Sequence, residues 1–249
     1  MIHNVYNTSM RNVLITGPTG EVGIALMLEL LAHDYCVTAV IRPNSKRRKY
    51  LPFDAHLSCV TCELDELDQL SFQLSRDYDL MFHLGWAHSR DHDNVDFQNK
   101  NIQYTIDAVR LVKKLKIKTF IGAGSQAEYG RVQGVLSPET PAYPDTAYGM
   151  AKLCAGQMSR LLCQQLAIKH VWPRIFSVYG PGDSESTMII STIRKLLRGE
   201  KPSLTKGEQE WDFLYSSDCA RALRLIGEEG KTVLFTALVQ ENQESCVHI

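Results

Sequence analysis

The chain has 249 residues, 44% hydrophobic and 22% charged, the balance of an ordinary globular protein with room for one large domain or two small ones. Its 27 lysines and arginines against 28 aspartates and glutamates leave no basic field to concentrate a polyanion, which argues against nonspecific nucleic-acid binding and for a small-molecule partner. Seven scattered cysteines, no apolar run near the ~20 residues of a membrane span and no secretory signal argue against a disulfide scaffold, a membrane protein or an exported one, so a cytoplasmic location is expected.

Residues 1–9 read as a polar extension ahead of the fold. The run Val13-Leu14-Ile15 is a buried strand, and residues 21–33 carry apolar side chains at helical spacing. Residues 36–41 form a second strand, and a third ends near Glu63. Further apolar runs at Leu80-Met81-Phe82, Phe120-Ile121 and 171–176 alternate with helical patterns over 102–115 and 148–166. This alternation predicts parallel βαβ units: an α/β fold with a doubly wound parallel sheet of Rossmann type over 10–180. Residues 181–230 read as a smaller, partial substrate lobe, and 231–249 as an atypical tail.

Between the first strand and first helix lies Thr16-Gly17-Pro18-Thr19-Gly20-Glu21-Val22-Gly23. Glycines at this spacing permit a tight turn and let backbone N–H groups approach a pyrophosphate at the positive end of a helix. An NAD site would place an acid at the end of the second strand, yet the chain reads Ile41-Arg42-Pro43-Asn44-Ser45-Lys46-Arg47-Arg48 there. Arg42, Ser45 and one of the following basic residues could hydrogen-bond a 2′-phosphate, so NADP is preferred over NAD; the alternative is a solvated basic loop beside an NAD site. Glu63 and Leu64, at the third strand's end, could meet the adenine.

Tyr148 and Lys152 share one face of a predicted helix, which Asp145 or Thr146 can cap. Gly149 costs the first turn roughly 1 kcal/mol of helix propensity, which predicts a close approach there. Hydride transfer between a nicotinamide and an alcohol or ketone carbon needs a matching proton at the oxygen, and a phenol with pKa near 10 is a poor base. One cation at ~5 Å supplies roughly 3 kcal/mol at an effective dielectric of ~20, so Lys152 is expected to provide most of the activation. Ser125, in Gly122-Ala123-Gly124-Ser125-Gln126-Ala127-Glu128-Tyr129-Gly130, is the candidate to orient the reacting oxygen; its other reading is ordinary turn hydrogen bonding.

Taken with Phe82-His83-Leu84, Asn101, Tyr148-Gly149-Met150-Ala151-Lys152, Arg174-Ile175-Phe176-Ser177-Val178-Tyr179-Gly180-Pro181-Gly182 and Gln209-Glu210-Trp211-Asp212-Phe213-Leu214-Tyr215, these motifs resemble the extended short-chain dehydrogenase/reductase family, in its nucleotide-sugar epimerase, dehydratase and ketoreductase branch. The resemblance implies Tyr148 as acid/base, Lys152 on the nicotinamide ribose, Ser125 on the substrate oxygen and Asn101 as a structural or relay residue beside the cofactor. It also implies that residues 174–215 line a nucleotide-sugar pocket, with Gln126, Ser177, Gln209 and Trp211 as substrate-binding candidates, and that the chain forms a homodimer.

The pattern is not followed everywhere. Ile41-Arg42 lacks the NAD-selecting acid, Ser177 stands where Asn is frequent, and Trp211 stands where Arg is frequent, so an indole could stack on a ring in place of a bidentate contact. The tail from Lys231 matches nothing in the family. Within its codon degeneracy a neighbouring frame can spell Lys-Asn-Gly-Ser-Phe-Tyr-Cys-Ile-Gly-Ser-Gly-Lys, similar to the family's continuation, which predicts a frameshift near Lys231 that sequencing the gene would reveal. His88 and His92 read as part of a solvated loop rather than a metal site, Cys59 and Cys62 as packing residues, and the stripes Ile102, Ile106, Val109, Val112 and Met158, Leu161, Leu162 as core. The expected activity is hydride transfer at C4 of a nucleotide-activated sugar, by epimerisation or 4-keto reduction; the rival is a cofactor-binding relative without turnover.

Overall fold

The computed structural model describes residues 11–74, 76–207, 211–229 and 236–238. Short β-branched runs buried on both sides become strands, and the longer amphipathic stretches between them become covering helices. In chain order these are β1 (Asn12–Thr16), α1 (Glu21–Leu31), β2 (Cys36–Ile41), β3 (Leu57–Thr61), β4 (Leu80–His83), α2 (Val95–Lys114), β5 (Thr119–Gly122), β6 (Gly124–Ser125), α3 (Ala147–Gln165), β7 (Lys169–Val171), β8 (Pro173–Ile175), β9 (Ser177–Tyr179), α4 (Met188–Leu197), β10 (Phe213–Tyr215), α5 (Ser216–Glu229) and β11 (Thr236–Leu238).

The main sheet is parallel with order β3-β2-β1-β4-β5-β7. Its order reverses between β1 and β4, and a crevice opens there at the strands' carboxyl ends. β6 and β8 continue β5 and β7 beyond one-residue breaks and pair with each other, while β9 pairs with β10. β11 adds in parallel to β8, so three residues of the expected tail extend this small sheet. The rest of 231–249, and with it the proposed frame change, lies outside the described residues.

One face of the sheet packs against α1 and α5 through Leu26, Met27, Leu30, Leu223 and Ile226; the other packs against α2 and α3 through Val109, Val112, Ala155 and Cys163. The expected boundary at residue 180 is therefore crossed by α5, which belongs to the same core as β1 and β4.

α2 starts at Val95, seven residues ahead of the expected start. Asn94 caps it, accepting the Phe97 N–H at 3.1 Å, and the inward positions of its first two turns are Gln98 and Asn101. Apolar periodicity could not reveal a face that is buried but polar. The stripe Ile106, Val109, Val112 is core as expected, whereas Met158 and Leu161 on α3 are about half exposed and only Leu162 packs against the core.

Trp172 is fully buried, its indole lying against Gly122, Gly124 and Gly156; a Cβ at Gly124 would sit 2.6 Å from the indole nitrogen. The glycines before Ser125 thus make a slot for a ring. Cys62 is buried and Cys59 exposed, and the structure shows no disulfide among the described residues.

Candidate active site

The phosphate loop is shaped by close approach. Gly17 has φ +70°, and a Cβ there would lie 2.7 Å from Leu84 O and Gly85 N, where the end of β4 presses against the loop; a Cβ on Gly23 would collide with Gly17 O. Gly20 differs, since its Cβ would meet only Gly17 O at 3.5 Å, an ordinary contact, and the residue is exposed. Packing within the protein does not demand glycine at position 20. No side chain caps the first turn of α1, so its outward N–H groups, including those of Glu21 and Val22, face an approach that is free of any Cβ. These residues fit a dinucleotide pyrophosphate.

Not every residue expected at the cofactor has a free hand. The Thr16 hydroxyl bonds His83 Nδ1 at 2.8 Å and accepts the Gly85 N–H at 3.2 Å, joining β1 to the loop after β4. Its side chain is a structural clamp, and burial pushes His83 down to about 3, so this imidazole is neutral. Asn101 accepts the Ala87 N–H at 2.7 Å and donates to Ala87 O and Phe97 O at 3.0 and 3.1 Å. Those bonds tie its amide to the loop after β4 and to its own helix.

Just past β2, Arg42 is exposed and Ser45 is half-buried. It is Arg47, one of the following basic residues, that reaches the phosphate loop, donating to Thr19 O at 2.7 Å and to Gly182 O. Glu21 shares a hydrogen bond with Asp183; burial first, then Asp183, push its carboxyl up to about 8, with Arg47 acting in the opposite direction. Past β3, Glu63 is exposed and Leu64 packs toward Gly85.

Thr146 caps α3, its hydroxyl accepting the Gly149 N–H at 3.1 Å, and the Tyr148 N–H donates to His92 O at 2.8 Å. A Cβ on Gly149 would strike Ala127 O, so this glycine lets α3 press against the turn carrying Ser125. The Ser125 hydroxyl is near enough to the Tyr148 phenol to lower its pKa. Lys152, one helical turn on and 5% exposed, donates to Ala123 O at 2.7 Å and places its ammonium 3.8 Å from the Trp86 ring centroid and 5.8 Å from that of Tyr148. The sheet crevice therefore brings all three expected catalytic residues together.

Their electrostatics differ from the expected activation. Burial raises the Tyr148 phenol above its ordinary value; the Ser125 hydroxyl opposes this and Glu128 adds to it. Burial also pushes Lys152 down to about 7, while Glu128 acts to raise it. With Lys152 turned to a carbonyl and an indole face, desolvation outweighs the expected lysine effect, and the resting phenol is a proton donor.

Two residues at this site escaped the sequence reading. Trp86 anchors its indole N–H on Gln98 Oε1 at 2.8 Å, and Gln98 in turn donates to His88 O and Asp91 O. Its signal was a large aromatic directly after Phe82-His83-Leu84-Gly85. Glu128 is wholly buried and paired with Arg174 at 2.9 Å, a partnership between distant motifs that no local pattern reveals. His88 stacks on Phe97 at 3.8 Å and His92 on Tyr148 at 4.7 Å; among the described residues no group of three or more metal-ligating side chains forms.

On the substrate side, Ser177 Oγ accepts from Gln126 Nε2 at 3.2 Å and from the Trp211 indole N–H at 2.7 Å. Three of the four substrate candidates thus meet at one hydroxyl, with Trp211 56% exposed. The fourth, Gln209, lies outside the described residues.

A doubly wound sheet, an uncapped glycine loop and a Ser-Tyr-Lys cluster at the crevice define a dinucleotide-dependent oxidoreductase type of site. The chain belongs to the NAD dependent epimerase/dehydratase family, whose model matches residues 13–234. It is 27% identical over 229 residues to the uncharacterized UDP-glucose epimerase YtcB of Bacillus subtilis (strain 168), covering 86% of this chain and 72% of that protein. It is 25% identical over 227 residues to dTDP-6-deoxy-L-talose 4-dehydrogenase (NAD(+)) of Aggregatibacter actinomycetemcomitans, covering 88% and 81%. Among solved structures it shares the fold of the Bordetella bronchiseptica enzyme WbmG in complex with NAD, with TM-score 0.80, 23% identity and coverage of 94% and 74%.

Proposed function

We propose that this chain is an NAD(P)-dependent enzyme that transfers hydride at C4 of a nucleotide-activated sugar, by epimerisation or 4-keto reduction. The observation that carries this reading is the Ser125, Tyr148 and Lys152 cluster at the mouth of the same crevice as the glycine loop. The relatives named as a UDP-glucose epimerase and a dTDP-6-deoxy-L-talose 4-dehydrogenase support the substrate class.

The nicotinamide cofactor supplies or takes the hydride when bound. The glycine loop and the N–H groups of Glu21 and Val22 would hold its pyrophosphate, and Lys152 its ribose. NADP is the preferred form, on the strength of Arg42 and Ser45 past β2 and the missing acid there. Ser125 orients the substrate oxygen and the Tyr148 phenol gives it a proton on reduction; in epimerisation Tyr148 must first be in its phenolate form, which takes the C4 hydroxyl proton as hydride leaves and returns it when hydride comes back. Gln126, Ser177 and Trp211 form the substrate wall, with the exposed indole as a stacking surface. The division into a Rossmann domain over 10–180 and a substrate lobe over 181–230 is retained as a functional one, α5 serving the core.

The apolar side chains Met150, Met158 and Leu161 exposed along α3 support a homodimer packed on this helix. A cytoplasmic location is supported by the free cysteines; no helix among the described residues is long and apolar enough to cross a membrane.

The test is incubation with NADPH or NADH and a panel of 4-keto and 4-hydroxy nucleotide sugars. Tyr148→Phe is expected to lower turnover by roughly 10²–10⁴-fold while leaving cofactor affinity unchanged. Unchanged turnover, or cofactor binding with no reaction on any panel member, would reject this assignment.

A further inference from the structure

Glu128 lies at the end of the short turn that follows Ser125, with no exposed surface. Three N–H donors converge on it. Its Oε1 accepts from Ser125 N at 2.9 Å and from Trp172 Nε1 at 3.0 Å, and its Oε2 accepts from Arg174 Nε at 2.9 Å. A guanidinium among three donors favours an ionised carboxylate. The Arg174 guanidinium rests in turn 4.3 Å from the Tyr129 ring centroid, and both charged residues are buried.

Two consequences reach the reacting groups. The bond to Ser125 N closes a capping box in which Ser125 Oγ accepts the Ala127 N–H at 3.2 Å, so the carboxylate fixes the residue whose hydroxyl acts on Tyr148. The second consequence is electrostatic. Lys152 faces the neutral His83 from β4, the Trp86 ring from the loop after it, Tyr148 from its own helix and Glu128 from the turn after β6. Of these, Glu128 is the group whose charge favours the ammonium form against burial.

We infer that Glu128 is a positioning residue that holds Ser125 in register with Tyr148 and sustains the ammonium charge of Lys152, and so sets the pH range over which the cluster works. This inference rests on the hydride-transfer reading above.

The test is the pH dependence of kcat/KM. Glu128→Gln removes the charge, so the alkaline limb, where Lys152 gives up its proton, moves to lower pH; for a shift of about one unit the ratio of rates at pH 8 and pH 6 is expected to fall about fivefold. Glu128→Asp keeps the charge on a shorter stem; it should hold that ratio within about twofold while lowering kcat, because the grip on Ser125 is lost. If Glu128→Gln does not fold, Glu128→Gln/Arg174→Gln gives the buried amide an acceptor and is measured in its place. A folded variant without the charge and with an unmoved alkaline limb overturns the inference. Absence of wild-type turnover counts against the proposed reaction alone, since acetic anhydride labelling of Lys152 across pH reads the same ionisation without substrate. There the variant should label at lower pH than wild type, and identical labelling curves would overturn the role given to Glu128.

Discussion

Two acidic residues flank the crevice, each with an arginine nearby, and they have opposite fates. Glu128 is fully buried and receives three N–H donors, one of them from Arg174. Glu21 is less buried, yet its Oε1 has no hydrogen-bond partner, its neighbour is a second carboxylate on Asp183, and Arg47 spends its donors on the carbonyls of Thr19 and Gly182. Burial and the Asp183 carboxylate raise Glu21 where few donors reach it, whereas the deeper Glu128 is met by three N–H groups. The first acid organises the catalytic floor, and the second carries a proton close to neutral pH beside the phosphate loop.

The largest effect expected from breaking this contrast is at Glu128. Glu128→Ala strands the Arg174 guanidinium and the Trp172 N–H in the interior, and should cost about 3–5 kcal/mol in urea unfolding. A loss below about 1 kcal/mol would show that the pocket admits water or repacks freely.

Glu21 gives a smaller effect of predictable sign. Its folded pKa, about 8, lies above its ordinary 4.5, so the folded chain binds the extra proton between those values. The stability from this site is full below about 4.5 and is lost as pH rises through about 8. Glu21→Gln cannot ionise, so its melting temperature should change less than that of wild type between pH 5 and 8 and should exceed it at pH 8. Parallel curves for the two proteins would mean that Asp183 or solvent relieves the charge.

Smallest in stability is the exposed rim. Trp211→Ala removes a half-exposed indole and should change unfolding free energy by no more than about 0.5 kcal/mol. If that indole stacks on the substrate, KM should rise about tenfold with cofactor affinity unaltered, the equivalent of about 1.4 kcal/mol. The shorter bond, 2.7 Å to Ser177, is thus expected to carry little folding energy at the rim, whereas bonds of 2.9–3.0 Å carry much at the floor.

Much of the scaffold was legible from residues. Val13-Leu14-Ile15 and 36–41 are apolar runs of strand length, and the turn from β1 into α1 carries Gly17 and Gly23 at positions where the structure admits no side chain. Gly149 signalled its close approach to Ala127 because a helix tolerates such a residue only at a cost. The start of α2 was hidden, since Gln98 and Asn101 face inward to hold the loop after β4 and make a polar inner face look like a surface. The exposed side of α3 was misread for the converse reason: Met158 and Leu161 are apolar but uncovered.

By itself the sequence determined the alternation of strands and helices up to α3, the place of the glycine loop and the choice of Ser125, Tyr148 and Lys152 as candidates, because periodicity and helical spacing are local properties of a chain. Tertiary structure alone decided what state those groups occupy. It joined Glu128 to Arg174 and Trp172 across more than forty positions, turned Lys152 onto Trp86 and Ala123, and diverted Arg47 to Thr19 and Gly182. The physical reason is that protonation depends on desolvation and on donors brought from other elements, and neither quantity exists until the chain has closed around the site.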